Sequence, residues 1–302
     1  MLKANIFWVS FSFVLSVIAI VSRAYRWNLL LEPLGYSPKL KNTTYAVSIG
    51  YLANLAFPRL GEVTRCGTLS RAETIPFSSL LGTVIVERII DVISLLICLL
   101  LTAIIEFKRL GHFLTTNIID PLVGKLRSFI TSPLGIAVAI AFIILVFLAV
   151  MYFKKKQKEK GNESAISHFI KELISGLKTI VKLKRPWLFI FHSVLIWVLY
   201  FLSAYVCFFA LPATSGLGLS AGLFILTLGG LGMSAPVQGG IGVYHLIVSQ
   251  GLMLYGLSQQ DGLAFATLLH SLQIVMILIL GSLSLLLIFF DRRASRKIAA
   301  SS

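Results

Sequence analysis

The chain has 302 residues, 57% of them hydrophobic and only 13% charged, with a mean hydropathy of +0.90. Soluble domains carry roughly 25% charged residues, so this composition excludes an ordinary soluble protein and indicates a polytopic membrane protein. A net charge of +15 does not point to nucleic acid, because Lys and Arg fall in the connections between apolar runs rather than among exposed aromatics on a soluble face.

Crossing a hydrocarbon core of roughly 30 Å takes about twenty apolar residues. Eight runs are candidates: 6–22, 43–58, 77–105, 133–153, 187–211, 220–235, 241–257 and 262–290. The prediction is an all-α integral membrane protein of about eight membrane segments, two of them short or re-entrant. The first run is longer than a signal-peptide core and lacks a small-residue cleavage site, so it reads as an uncleaved span. Residues 1–153 form one half of a single membrane domain, 154–186 a basic loop, 187–290 a second half and 291–302 a basic tail. Segments 43–58 and 220–235 are short, abut a proline, and stand second in each group of four. That pattern is the sequence signature of an inverted-repeat transporter with its site at the repeat interface. Two ordinary spans joined by tight surface turns would also fit.

The stretch 228–242 is crowded with glycines and carries Pro236. Proline has no N–H to donate, and each glycine costs roughly 1 kcal/mol against alanine inside a helix. Freed backbone groups survive at membrane depth only if buried in protein or facing a wet cavity. The first short segment has a parallel, Pro58-Arg59-Leu60-Gly61-Glu62 against Pro236-Val237-Gln238-Gly239-Gly240.

With the N-terminus inside and eight crossings, eighteen Lys and Arg fall inside and eight outside, which predicts a cytoplasmic C-terminus and central loop in the inner membrane. A re-entrant 43–58 would instead bring Arg23, Arg26, Lys39 and Lys41 inside and expel Lys3. The central loop opens with a lysine run, and from Ile166 to Val181 apolar residues recur at helical spacing. Such a basic amphipathic helix suits the anionic leaflet surface, through residues 154–185.

Polar residues mark the candidate site. Glu87, Arg88 and Asp91 lie inside an apolar run, where each charge costs about 2.5 to 3.5 kcal/mol and marks a substrate or ion path by default. Their spacing allows an Arg88–Asp91 pair with Glu87 spare. Asn54, Arg59, Glu62 and Arg65 surround the first break, the last three spaced as one polar stripe with guanidinium groups suited to phosphate. Gln238, Gly239, Gly240, His245 and Gln250 form or follow the second break, and His270 and Gln273 lie in the last run. The three cysteines are scattered singly, the histidines lack metal-ligand spacing, and no hydrolase, nucleotide or dinucleotide motif occurs. Neither an enzyme nor a cofactor is expected.

Four stretches carry a family resemblance: Arg23 to Leu34 (RAYRWNLLLEPL), Asn54 to Arg65 (NLAFPRLGEVTR), Glu87 to Asp91 (ERIID) and Pro236 to Gly242 (PVQGGIG). In this order they resemble the lysylphosphatidylglycerol synthase transmembrane region, or flippase-like domain family. In its best-known members, the bacterial multiple peptide resistance factors, this module is thought to move an aminoacylated phospholipid between leaflets, and a separate soluble domain makes that lipid. The sequence ends at Ser302 without such a domain, so lysyl transfer is not expected. Gln238 replaces the second proline of the family's P-x-P-G-G-x-G pattern, and His245 stands where an acid is expected, so a different cargo is expected. The resemblance implies a flippase for a phospholipid or lipid-linked headgroup, with membrane lipid as its partner and Asn54, Arg59, Glu62, Arg65, Glu87, Arg88, Asp91, Gln238, Gly239, Gly240 and His245 binding it. The alternative is a non-transporting membrane scaffold or partner subunit of an envelope-lipid enzyme, and a second copy of the chain or such an enzyme is the protein partner expected.

Overall fold

The computed structural model describes residues 4–57, 60–107, 178–235 and 237–301, with side chains to 291. Residues Met1–Ile105 and Phe169–Ser302 belong to one compact unit, described here. Of the second unit, Glu106–His168, only residues 106 and 107 are described. The expected span 133–153 and most of the basic loop 154–185, with its amphipathic helix, lie outside the described residues.

Eight α-helices occur among the described residues: α1 (Ile6–Leu31), α2 (Leu40–Ala56), α3 (Leu60–Glu73), α4 (Phe77–Ile105), α5 (Pro186–Cys207), α6 (Leu219–Ser234), α7 (Val243–Met253) and α8 (Gln259–Ser301). Among the described residues, four segments are long and apolar enough to cross a membrane: Ile6–Leu34, Phe77–Ile105, Pro186–Ala210 and Gln259–Asp291. Ile93, Leu96, Leu100 and Ile104 of α4 are exposed while Arg23, Arg26, Arg65 and Glu87 are buried, the reverse of a soluble protein's layering. This is an all-α membrane protein.

Local chemistry sets the helix ends. Asn5 caps α1 by accepting the Phe7 N–H at 3.0 Å, and the helix gives way at Glu32–Leu34, with Pro33 inside that turn and Gly35 left-handed at φ 85° beyond it. Phe57 (φ −140°, ψ 129°) ends α2 and Ala235 (φ −60°, ψ 144°) ends α6. Each precedes a proline, whose ring pushes the residue before it out of the helical region. Both short helices therefore stop for the same reason, and the chain turns back on itself.

The return limbs are α3 and α7. Gly61 packs so closely on α2 that a Cβ there would lie 2.3 Å from the Gly50 carbonyl oxygen, and a Cβ on Gly232 would lie 3.0 Å from the Tyr244 Cα. The contacts of α2 with α3, and of α6 with α7, run in opposite directions along the two limbs, making two re-entrant hairpins. Segment 43–58 is thus re-entrant, and the run 241–257, expected as a crossing, is an eleven-residue return limb. At 1.5 Å per residue it rises only about 16 Å, too little to span.

The packing is that of an inverted repeat. Helix α1 lies antiparallel on α5, with Ser12 near Ser203 and Ser22 near His192, while α2 packs on α8 and α4 on α6. Matching α1–α4 to α5–α8 in order maps the α1–α5 pair onto itself and exchanges α2–α8 with α4–α6, with direction reversed. Among the described residues, the fourth member of the first repeat is 77–105. Because α2 and α6 run in opposite directions, the hairpins enter from opposite ends and meet at their tips: Gln238 Nε2 donates to the carbonyls of Leu55 (2.8 Å) and Ala56 (2.9 Å).

Candidate functional site

A cavity of about 410 Å³ opens where the two tips meet, and all eight described helices line it. That volume falls within the range of small-molecule sites. One wall is polar, with Arg23, Glu62 and Arg88; much of the remainder is apolar, including Ile20, Leu55, Ile225 and Met276. Tyr51, Asn54, Tyr200 and Gln273 add neutral hydrogen-bonding groups.

Behind the polar wall lies a buried ion network. Glu87 is wholly buried, its Oε1 taking Arg23 Nε at 2.7 Å and Arg26 Nη2 at 3.3 Å, its Oε2 taking Arg65 Nη2 at 2.8 Å. Asp91 Oδ1 accepts from Arg26 Nη2 at 2.7 Å, and Oδ2 accepts from Arg23 Nη2. The Arg65 guanidinium also stacks 4.7 Å from the ring centre of Trp27, whose indole N–H donates to Thr83 at 2.9 Å. The second cluster is Glu62 with Arg88, an ion pair facing the cavity with side chains 25% and 42% exposed. Arg88 reaches Asp91 only at 3.9 Å. Among the described residues, then, Glu87 is the hub rather than the spare carboxylate, and Arg88 pairs with Glu62 rather than primarily with Asp91. The Glu62–Arg65 stripe splits, one residue facing the cavity and the other turned into the core.

Arg23 and Arg26 belong to this network although the span was expected to end at Ser22, with both arginines in an external connection. Helix α1 continues to Leu31, and the one-turn spacing of the two arginines sets both against the carboxylates of α4. Their i,i+3 spacing directly after an apolar run was the available signal. Tyr51 and Tyr200, also missed, bracket Arg23: its Nη1 donates to Tyr200 Oη at 3.2 Å and its guanidinium lies 5.9 Å from the Tyr51 ring. Arg59 lies outside the described residues.

The second tip is built differently. Gly239, Gly240 and Gly242 take left-handed φ values of 58°, 75° and 86°, which Cβ-bearing residues avoid. The Gly242 N–H donates to His245 Nδ1 at 3.3 Å, His245 Nε2 faces His270 Nδ1 at 3.4 Å, and His270 Nε2 lies 2.9 Å from the Gly239 carbonyl. One set of neutral tautomers satisfies the whole chain, each ring carrying its proton on Nε2. His245 and His270 therefore tie the tip to α8. His192 lies elsewhere, 2.8 Å from Ser22. Asn54 serves the first hairpin, accepting the Gly61 N–H at 2.7 Å, and also borders the cavity.

The sequence matches the family described as lysylphosphatidylglycerol synthase TM region over residues 1–281. It is 23% identical over 298 residues to a UPF0104 membrane protein of Methanocaldococcus jannaschii, covering 95% of this chain and 87% of that protein. No solved structure matches.

Proposed function

The chain belongs to the lysylphosphatidylglycerol synthase transmembrane-region family, and from that premise and the cavity we propose that it carries a phospholipid or lipid-linked headgroup between leaflets, acting as a carrier and not as an enzyme. The observation that supports this most is the position of the charged wall. Arg23, Glu62 and Arg88 border a partly apolar cavity at the meeting point of two hairpins that enter from opposite ends. A lipid needs that combination, because its headgroup requires charge and hydrogen bonds in the membrane interior while its chains stay in oil.

The distribution of basic residues supports a sidedness. One end of the bundle gathers Lys39, Lys41, Arg71 and Arg185, with Lys41 paired to Asp291 at 2.8 Å, Arg185 paired to Glu32, and the Lys39 backbone N–H donating to Glu73 at 2.9 Å. At the other end, where the Asn5 N–H meets the Ala210 carbonyl at 2.9 Å, the connections 211–218 and 254–258 contain no Lys or Arg. The positive-inside rule then puts the α8 end and the basic 154–185 stretch on the cytoplasmic side of the inner membrane, against its anionic leaflet, and the start of α1 on the opposite side.

Reconstitution in liposomes with leaflet-reporting lipids tests the carrier. Lipid should redistribute in minutes with the native protein and several-fold more slowly with Arg88→Gln or Glu62→Gln. Redistribution unaffected by either substitution overturns the assignment of this cavity.

A further inference from the structure

We propose that the ligand of the cavity is a lipid whose headgroup carries one net negative charge on a phosphodiester, and that Arg88 releases Glu62 to hold it. This rests on the carrier reading above for the ligand's being a lipid. The argument starts from charge. Among the described residues, the cavity wall and the network behind it contain four guanidinium groups, Arg23, Arg26, Arg65 and Arg88, against three carboxylates, Glu62, Glu87 and Asp91. One positive charge is uncompensated in a setting of low dielectric, where such a charge is costly and attracts a single anion.

The geometry says which guanidinium is available. All four oxygens of Glu87 and Asp91 are bonded by Arg23, Arg26 and Arg65, and neither carboxylate borders the cavity. Those arginines are committed to carboxylates, and although Arg26 Nε and Nη1 and Arg65 Nε also lack a hydrogen-bond partner among the described residues, neither Arg26 nor Arg65 borders the cavity. Glu62 and Arg88 are the exposed pair, and each keeps an atom with no hydrogen-bond partner among the described residues, Oε2 of Glu62 and Nε of Arg88. An incoming phosphodiester can take the fork of Arg88 bidentately, as a guanidinium favours. Tyr200, which also borders the cavity, accepts from Arg23 through Oη and retains its own proton to donate to an anion there. A headgroup with no net charge leaves the excess uncompensated. A cationic headgroup adds to it, because an ammonium on Glu62 would strip Arg88 of its partner.

The test uses the full chain and three lipids with identical acyl chains and phosphoglycerol, phosphocholine or trimethylammonium headgroups, carrying net charges of −1, 0 and +1. In liposomes, the anionic lipid is expected to move about tenfold or more faster than the zwitterionic one, and Arg88→Gln to bring the two within about twofold. Movement without charge preference, or favouring the neutral or cationic lipid, overturns the inference while leaving the carrier reading intact. If no lipid moves, the carrier reading fails, and thermal shift in detergent with short-chain versions decides the inference. Stabilisation by the anionic lipid alone, lost in Arg88→Gln and kept in a Tyr36→Phe control outside the cavity, supports it; equal or absent shifts overturn it. Glycerol phosphate added alone separates the sources. A shift as large as the lipid's would mean a soluble phosphate ligand and overturn the lipid assignment.

Discussion

Replacing Glu87 with glutamine keeps the shape of the side chain and removes the charge on which three arginines converge. Its oxygens lie 2.7 Å from Arg23 Nε, 2.8 Å from Arg65 Nη2 and 3.3 Å from Arg26 Nη2, and the residue is fully buried. With an effective dielectric of about 20 and charge centres about 4 Å apart, each pair contributes roughly 4 kcal/mol of gross attraction. The three do not add, because Asp91 still holds Arg23 and Arg26. Breaking a buried pair from one side costs about 3 to 5 kcal/mol, since uncompensated charge is left behind. At roughly 2 to 4 °C per kcal/mol, Glu87→Gln should melt about 10 °C lower. Tryptophan fluorescence in detergent is a suitable readout because Trp27 lies against the Arg65 guanidinium. Adding Arg65→Gln should recover part of the loss, because the second change removes an orphaned charge. Asp291→Asn, which breaks the half-exposed pair with Lys41, should shift melting only slightly, because solvent screens that pair. A Glu87→Gln shift no larger than that of Asp291→Asn, or a double variant that falls by the sum of the singles, would refute a coupled network.

Three further outcomes follow from the packing. Gly61→Ala puts a Cβ 2.3 Å from the Gly50 carbonyl and 2.5 Å from Asn54 Nδ2, so it should cost about 1 to 3 kcal/mol in thermal unfolding, whereas Gly67→Ala on the same helix meets nothing within 4 Å and should stabilise by up to about 1 kcal/mol. Gln238→Ala removes both hydrogen bonds between the tips, costing about 1 kcal/mol of stability while changing the lipid redistribution rate in liposomes. His270→Phe leaves the Gly239 carbonyl without its donor, so melting should fall by about 1 to 3 kcal/mol, with faster backbone exchange at the second tip.

What could be read in the sequence was what depends on neighbours in the chain. The oily runs, the breaks at Pro58 and Pro236, and the unusual Glu87, Arg88 and Asp91 are local signals, and the two hairpins stop where the residue before proline must stop. What was missed depends on distant contacts. Near Ser22 the one-turn spacing of Arg23 and Arg26 is the only hint that α1 continues with both aboard, because the carboxylates that neutralise them stand more than sixty residues away on α4. Composition likewise does not tell a short span from the return limb of a hairpin, so 241–257 read as a crossing and Leu60–Glu73 as a connection. Local spacing also favoured Arg88 with Asp91, three residues away, over Glu62 on another helix.

The repeat is symmetric in its helices but not in its chemistry, and this difference predicts which tip moves. The first hairpin is anchored through Arg65, which is buried between Glu87 and Trp27, and by the Gly61 crossing. Withdrawing it would expose or orphan a buried ion, at about 3 to 5 kcal/mol. The second hairpin is held by neutral hydrogen bonds from Gln238 and His270, each contributing about 1 kcal/mol net, and its tip has glycines that switch backbone conformation at little cost. If one tip must part from the other to let a headgroup pass, the second is the cheaper to displace. Hydrogen exchange on the protein in lipid nanodiscs should show Val237 and the amides of 239–242 opening well before those of 54–57 and 60–62. Slower exchange at the second tip than at the first would contradict the energetic ranking on which this assignment of the gate rests.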